Sequence, residues 1–231
     1  MTFLTAAQSA AIRLIGRKPT AIFSSSSTFE LELSDLAKEV VGEIVKYSDW
    51  RALTKKFSAV GDGVTAGFNL PDDYDRMPKA QQVSRANWYT WGYVDAPNLN
   101  FWHDLINGLA TPNPGYWIIL GGKLQFAPSI PSGTTAEFYY ISSSAVIGND
   151  GQSKPAFTTD NDTFFLNERL ITLGLIAKWR AMKRLDYGKD EDDYQQLLAK
   201  ISSDDKGARV ISPGTSRAFD LDRAYPGALG Q

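Results

Sequence analysis

The 231-residue sequence contains no cysteine and only one histidine, His103. Without cysteine, the chain cannot form disulfides, thiolate zinc sites, iron–sulfur clusters or a cysteine nucleophile. With one imidazole, a single chain cannot build a multi-histidine metal site or a two-histidine acid–base pair. These absences exclude several large classes of enzyme and metalloprotein.

The chain also lacks an excess of either charge and a long apolar run. Its 24 basic and 26 acidic residues give a net charge of −2, which argues against a nucleic-acid coat or a basic membrane-surface protein. The longest uncharged apolar run, residues 170–177, is too short to cross a bilayer. The N-terminal segment places its apolar residues before Arg13, Arg17 and Lys18, the reverse of a signal peptide. We therefore expect a soluble protein of a reducing or redox-indifferent compartment, with no membrane partner.

Hydrophobic residues make up 43% of the chain, enough for a folded core. Near the N-terminus, Thr5 with Gln8 predicts a capping box, and Gly16 predicts the end of that first helix. A polar serine run, 24–27, predicts a loop. A second helix is predicted after Ser34, and a helical turn at 49–53 is expected to bring Trp50 into the core.

The middle of the chain is predicted to form β structure, because Gly, Pro and Asn separate short runs of aromatic and β-branched residues. Residues 115–120 and 123–128, joined by Gly121 and Gly122, predict a hairpin with a tight primed turn. Residues 134–142 alternate well enough for a third strand. The short connections predict an antiparallel meander.

Two further helices are predicted, at 166–185 and about 190–203, the second with an acidic start that suits the helix dipole. The first carries apolar residues on more than one face, so Leu175 and Trp179 are candidate ring or core contacts. The Gly- and Pro-rich end predicts an extended segment. The predicted fold is α+β. It has a helical body (1–55 and 160–205), a β-rich insertion containing the meander (56–159) and an extended C-terminal arm (206–231).

Two motifs could carry chemistry, and each has a structural interpretation. The sequence GDGVTA at 61–66 fits a loose dinucleotide pattern, but the residues after it do not favour a helix, so a hairpin turn is preferred. Carboxylates cluster at 72–75, 160–162 and 190–193. We interpret the first cluster as a Pro-led turn and the second as a helix cap. The third is interpreted as acidic residues that complement the positive end of a helix dipole. We expect no catalytic, cofactor-binding or metal-binding residues, and no cofactor.

The stretch 87–94, followed by Phe101, Trp102 and His103, is dense in aromatic residues. It suits a stacking platform for sugar or single-stranded nucleic acid. Few basic residues accompany it, however, so the core or a subunit interface is favoured. Trp88 and Trp91 are therefore candidate ring or core contacts, and His103 is expected to pack or to bond locally rather than to act in catalysis.

Four stretches together carry a resemblance to a known family. They are TAAQSAAIRLIG near the start, FNLPDDYDRM in the middle, WIILGGKLQFAPSIPSG before the third predicted strand, and PAFTTDNDTFFLNERLITLGLIAKWRAMKRLDY with the acidic helix after it. Together they are spread across residues 5–205, and the last is the most specific. The chain resembles the head-to-tail adaptor proteins of short-tailed phages, the group that includes tail tubular protein A.

The resemblance implies a structural virion protein rather than an enzyme. Such adaptors form a twelvefold ring between the portal and the tail nozzle, extend the DNA channel and support genome retention and ejection. It implies a location in the virion neck after assembly in the bacterial cytoplasm. DNA would pass through the channel without sequence-specific binding.

The C-terminal arm is the predicted portal-docking element, since its composition suits a segment that becomes ordered on a partner. Its candidate docking residues are Arg217, Phe219, Leu221, Arg223 and Tyr225. Two alternatives stay open at this point: a carbohydrate-binding tail accessory protein that uses the aromatic cluster 88–102, and a small tail hydrolase that uses one of the carboxylate clusters.

Overall fold

The computed structural model of the chain describes residues 2–78, 83–86, 93–111 and 115–206. These residues form helices and antiparallel or mixed sheets, which confirms the α+β prediction. The helices are α1 (Phe3–Ile15), α2 (Thr28–Tyr47), α3 (Leu99–Ile106), α4 (Arg169–Met182) and α5 (Gly188–Lys206). The strands are β1 (Thr54–Val60), β2 (Gly67–Asn69), β3 (Tyr74–Arg76), β4 (Ser84–Ala86), β5 (Val94–Asp95), β6 (Tyr116–Leu120), β7 (Lys123–Ala127), β8 (Thr135–Ser142), β9 (Val146–Ile147), β10 (Ser153–Lys154) and β11 (Thr163–Phe164).

The described chain forms two compact units. The helical unit contains residues 2–56, 71–78 and 139–206, and the β unit contains residues 57–70, 83–86, 93–111 and 115–138. The predicted bounds of the β-rich insertion, residues 56 and 159, stay a prediction. In the structure, residues 71–78 and 139–159 pack in the unit that contains α1, α2, α4 and α5.

Helix α4 is the centre of the helical unit, because α1, α2 and α5 each pack against it. All its residues from Leu170 to Ala177 are buried, which explains why apolar residues occur on more than one of its faces. Gly174 allows close packing: an added Cβ would lie 2.6 Å from Val40 Cγ1 and 3.2 Å from Tyr194 Cε2. Trp50 is fully buried in the same core beside a short 3-10 turn, as predicted.

The first two helices begin earlier than predicted. Helix α1 starts at Phe3 because the Phe3 and Leu4 amides donate to the carbonyl oxygens of Asp162 and Asp160, at 2.7 and 3.1 Å. The predicted capping box at Thr5 is therefore wrong, although Gly16 ends the helix in the left-handed conformation as expected. Helix α2 starts at Thr28, after the serine loop, and not after Ser34.

The last two helices also differ from their predicted lengths. Helix α4 has 14 residues and begins after Asn167, whose side chain accepts from the Arg169 amide at 2.9 Å. It ends before Arg184, which has a φ of 57°. Helix α5 continues to Lys206, the first residue assigned to the arm. Residues 207–231 lie outside the described residues.

The predicted hairpin is confirmed, but the continuous meander is wrong. Strands β6 and β7 pair antiparallel, and Gly121 and Gly122 have φ values of 60° and 74°, as a primed turn requires. Strand β8 instead pairs with β1, β3 and β4 in another sheet. Strand β5 pairs parallel to β6, since α3 lies in the connection and makes it long enough for a crossover.

Candidate functional site

The GDG loop is a connection between two sheets and not a hairpin, because β1 pairs with β8 whereas β2 pairs with β7. No helix follows it. Gly61 is required by packing: an added Cβ would lie 2.5 Å from the Ile130 carbonyl oxygen. Asp62 accepts from the Val64 and Thr65 amides and the Thr65 hydroxyl. The Thr65 hydrogen bonds, with that from Val64, lower the pKa of Asp62 to about 2. Packing at Gly61 and hydrogen bonds to Asp62 within the loop therefore account for this motif, and no bound phosphate is needed to explain it.

In the first carboxylate cluster, Asp73 ties its turn to strand β8. Its carboxylate accepts from Tyr140 Oη at 2.8 Å, Ser142 Oγ at 2.7 Å and Lys55 Nζ at 2.6 Å. Burial opposes ionisation, but these three donors outweigh it and lower the pKa of Asp73. The Tyr74 amide donates to the Pro71 carbonyl at 2.9 Å, which confirms the Pro-led turn.

The next two residues of that motif connect β3 to the end of α2. The Asp75 carboxylate accepts from both Lys46 and Arg76. The same Arg76 guanidinium donates to the carbonyl oxygens of Val45, at 3.1 Å, and Ser48, at 2.6 Å. These carboxylates are therefore partners of structural cations.

The second carboxylate cluster, 160–162, does not cap the helix that follows it, so that interpretation is wrong. Asp160 instead accepts from the Ile22 and Phe23 amides at 3.1 Å. Fully buried Asp162 accepts from the Thr158 and Thr159 amides at 2.7 and 2.9 Å. Together they hold the loop whose carbonyls receive the first amides of α1.

The third cluster lies at the start of α5, with Asp190 and Glu191 in its first turn, which confirms the dipole interpretation. Asp190 also pairs with Arg180 of α4. Within the described ranges, no group of three or more His, Asp and Glu side chains is placed to hold a metal ion.

The aromatic cluster contributes mainly to packing where the structure describes it. Tyr93 and Trp102 are buried, and Tyr93 contacts Phe126 with 4.6 Å between ring centroids. Exposed His103 lies 3.0 Å from Asn107, from Nε2 to Nδ2, so the expected local bond is confirmed. Trp88 and Trp91 lie outside the described residues.

Leu175 and Trp179 lie in different environments on α4. Leu175 is fully buried in the core of the helical unit. Trp179 is half-buried against α2, with its ring edge-on to Phe29 and its Nε1 donating to Glu32 Oε2 at 2.9 Å. Both contact a neighbouring helix of the same chain, and a contact with another subunit stays a prediction.

Surface residues on α1 are a feature that the sequence interpretation missed. Ala7 and Ala11 are buried, whereas Ile12 and Ile15 are 51% and 40% exposed. In the sequence, Leu4, Ala7, Ala11 and Ile15 recur at helical spacing, yet Ile15 is exposed in the structure. The signal available in the sequence was that apolar residues of α1 occupy more than one helical face.

A polar cavity of about 340 Å³ lies between the end of α1 and the start of α2. Glu30 lines it, and both Arg17 and Ser27 donate to that carboxylate. The Ser27 hydroxyl, Arg17 and the backbone lower the pKa of Glu30 although its burial raises it. The buried charge is thus compensated within the chain.

The candidate docking residues Arg217, Phe219, Leu221, Arg223 and Tyr225 all lie outside the described residues. In the described part of the chain, no helix is both long and apolar enough to span a bilayer. Across the described residues, the candidate sites consist of carboxylates that are hydrogen-bonded within the chain, aromatic rings that are packed in the interior, and exposed helix faces.

The comparison with protein families gives one match over nearly the whole sequence. The model for the SU10 adaptor protein matches residues 1–217. No curated protein matches the sequence. The family match supports the head-to-tail adaptor resemblance in general, whereas the closer likeness to tail tubular protein A stays a prediction.

Proposed function

Because the chain belongs to the SU10 adaptor protein family and is a structural adaptor protein of a phage, we propose that it forms a ring between the portal and the tail nozzle. The ring has twelve copies and extends the DNA channel, so it takes part in genome retention and ejection. The family match over residues 1–217 carries this proposal. Such a family has a structural role in the virion neck.

The charges and carboxylates are compatible with a channel protein. The net charge of −2 provides no general basic surface that would hold the phosphate backbone tightly. Asp73, Asp75 and Asp162 are each engaged by donors of their own fold. DNA passing through the ring is therefore expected to slide without sequence-specific binding.

The C-terminal arm is the proposed portal-docking element. Phe219, Leu221 and Tyr225 would supply apolar anchors, while Arg217 and Arg223 would steer the approach. A single arm is expected to bind weakly, because ordering it costs conformational entropy. Several arms on one portal gain from their raised effective concentration. Assembly would then be firm only when the ring is complete.

The experiment that tests this function has two readouts. Purified particles, labelled with an antibody against the protein and imaged, should carry label at the neck. A chain lacking residues 207–231 should stay folded by circular dichroism but fail to sediment with purified portal rings.

A matched control replaces Arg217 and Arg223 with Ala and keeps the apolar anchors, and it should bind portal more weakly and with less salt dependence. Undiminished portal binding by the truncated chain would assign the docking role to the folded units. Label elsewhere than the neck would refute the adaptor function.

A further inference from the structure

The end of α3 carries the one asparagine in the sequence that is followed by glycine, Asn107 before Gly108. Both residues are exposed, and Asn107 lies just after Ile106, the last residue of the helix. An asparagine loses its side-chain amide when the next backbone nitrogen attacks its side-chain carbonyl carbon. Glycine in the next position favours this reaction, because it has no Cβ to hinder the nitrogen and leaves the backbone free to rotate.

The surroundings of Gly108 leave its nitrogen accessible. It donates to the Leu105 carbonyl oxygen at 3.3 Å, which is long for a hydrogen bond, and helix ends open at little cost. A Cβ added at Gly108 would meet nothing within 4 Å beyond its chain neighbours, so water has room there. Ring closure requires the ψ angle of Asn107 to change from 3°. An exposed helix end allows this change, because no buried side chain has to move.

His103 lies beside the group that would be released. Its Nε2 is 3.0 Å from Asn107 Nδ2, and its carbonyl oxygen accepts from the same nitrogen at 2.8 Å. A general acid must lie within about 2.6–3.2 Å of the atom that it protonates. Histidine is also the side chain that gains and loses a proton most readily near neutral pH. The imidazole is therefore placed to supply the proton that the departing nitrogen needs.

We propose that Asn107 is a site of spontaneous deamidation in which His103 acts as the general acid. The Gly108 nitrogen forms a bond to Asn107 Cγ and loses its own proton to water. His103 Nε2 then protonates Nδ2, the Cγ–Nδ2 bond breaks, and ammonia leaves a succinimide ring behind. Water opens the ring at either carbonyl, which gives aspartate or isoaspartate at position 107, and His103 regains a proton from solvent. The net reaction consumes one water and releases one ammonia.

The product changes the surface at the end of α3. Its carboxylate cannot donate to the His103 carbonyl oxygen as the amide does, and it lies at the negative end of the helix dipole, which disfavours an anion. It also adds a charge next to Ile106 and close in sequence to Leu109, which are 60% and 77% exposed. An apolar surface thus acquires a negative charge as the protein ages. This inference does not depend on the proposed ring or on portal binding.

Mass spectrometry of the full chain tests the site. The purified protein is incubated near neutral pH, sampled over several weeks and digested, and the asparagine, aspartate and isoaspartate forms of each peptide are separated and quantified. Asn107 should convert faster than Asn100, because Asn100 is exposed on the same helix but precedes Phe101, whose side chain hinders the attacking nitrogen.

His103→Gln is the matched variant for the general acid. The Gln side chain has an oxygen that accepts from Asn107 Nδ2, but it has no proton-transfer group of suitable acidity. Conversion at position 107 should therefore slow at least about tenfold in the folded protein, since a positioned acid typically contributes more than this. In concentrated urea, wild type and variant should convert at equal rates, because the helix that places the imidazole is lost. Circular dichroism before incubation checks that both chains are folded.

Each contrary result removes a definite part of the inference. If Asn107 converts no faster than Asn100, the helix end protects the amide and the site is wrong. Equal rates for folded wild type and His103→Gln would show that the imidazole does not protonate the leaving nitrogen. A difference that persists in urea would show that closeness in sequence, and not the geometry of α3, brings His103 to the amide.

Discussion

Arg76 Nη2 donates to the Ser48 carbonyl oxygen at 2.6 Å, so a side chain of strand β3 closes the end of helix α2. The same guanidinium bonds the Val45 carbonyl at 3.1 Å and, through Nε, Asp49 Oδ1 at 2.9 Å. The last carbonyls of a helix have no partner within it. Arg76 supplies donors from 28 residues away in sequence, and its charge also suits the negative end of the helix.

Arg76→Met should therefore destabilise the protein by about 2–4 kcal/mol, because several charge-assisted hydrogen bonds are lost together. Arg76→Lys should recover only part of this, since an ammonium cannot reproduce the planar fork. Urea unfolding followed by circular dichroism measures both variants. Equal stability of Arg76→Met and wild type would show that water satisfies these carbonyls equally well.

Tyr140 and Tyr194 are both buried but should respond differently to loss of the hydroxyl. Tyr140 donates to Asp73 at 2.8 Å, whereas Tyr194 Oη has no hydrogen-bond partner among the described residues. Tyr140→Phe should cost about 1–3 kcal/mol, because it removes a bond to a charged acceptor. Tyr194→Phe should be neutral or stabilising by up to about 1 kcal/mol. Thermal unfolding of both variants provides the comparison, and equal losses would contradict the assignment.

Gly174→Ala should destabilise the helical unit although alanine favours helices. The gain in helix propensity is about 1 kcal/mol, but the added methyl would lie 2.6 Å from Val40 Cγ1. Overpacking of this kind costs about 1–3 kcal/mol. Val40→Ala in the same chain should restore part of the loss by making room. A Gly174→Ala variant as stable as wild type would mean that α2 and α4 can move apart freely.

Asp162 should make stability depend on acid pH. Its burial raises the pKa, but hydrogen bonds from the Thr158 and Thr159 amides, the Thr159 hydroxyl and Lys154 outweigh this and lower the pKa to about 2. A carboxyl whose folded pKa lies below the unfolded value of about 3.9 stabilises the fold above that value and loses this contribution as pH falls towards 2. Asp162→Asn should cost about 2 kcal/mol at pH 7.

The difference between wild type and Asp162→Asn should shrink between pH 4 and pH 2. Denaturant midpoints at several pH values measure it. Asp62→Asn is a matched control for the loss of a buried carboxylate. The pKa of Asp62 is also lowered, but Asp62 lies in an exposed loop. A difference that does not change with pH would show that the contribution of Asp162 is not electrostatic.

The sequence by itself determined the local elements whose cause is local. Gly121 and Gly122 predicted a primed turn because their missing side chains permit positive φ. Periodicity predicted four of the five described helices but missed α3, which lies in the stretch interpreted as β structure, and Trp50 was correctly expected in the core. The order of motifs also indicated a phage adaptor, which the family match supports.

Only the tertiary structure decided which strands pair and where helices begin. Residues 134–142 read as the third strand of a meander, yet β8 pairs with β1, β3 and β4, because pairing depends on the faces that distant segments bury. Helix α1 starts at Phe3 because carbonyls about 160 residues away receive its first amides. The exposure of Ile12 was also decided by tertiary structure. The spacing of side chains defines the faces of a helix, but the packing of α4 against α1 decides which face is buried.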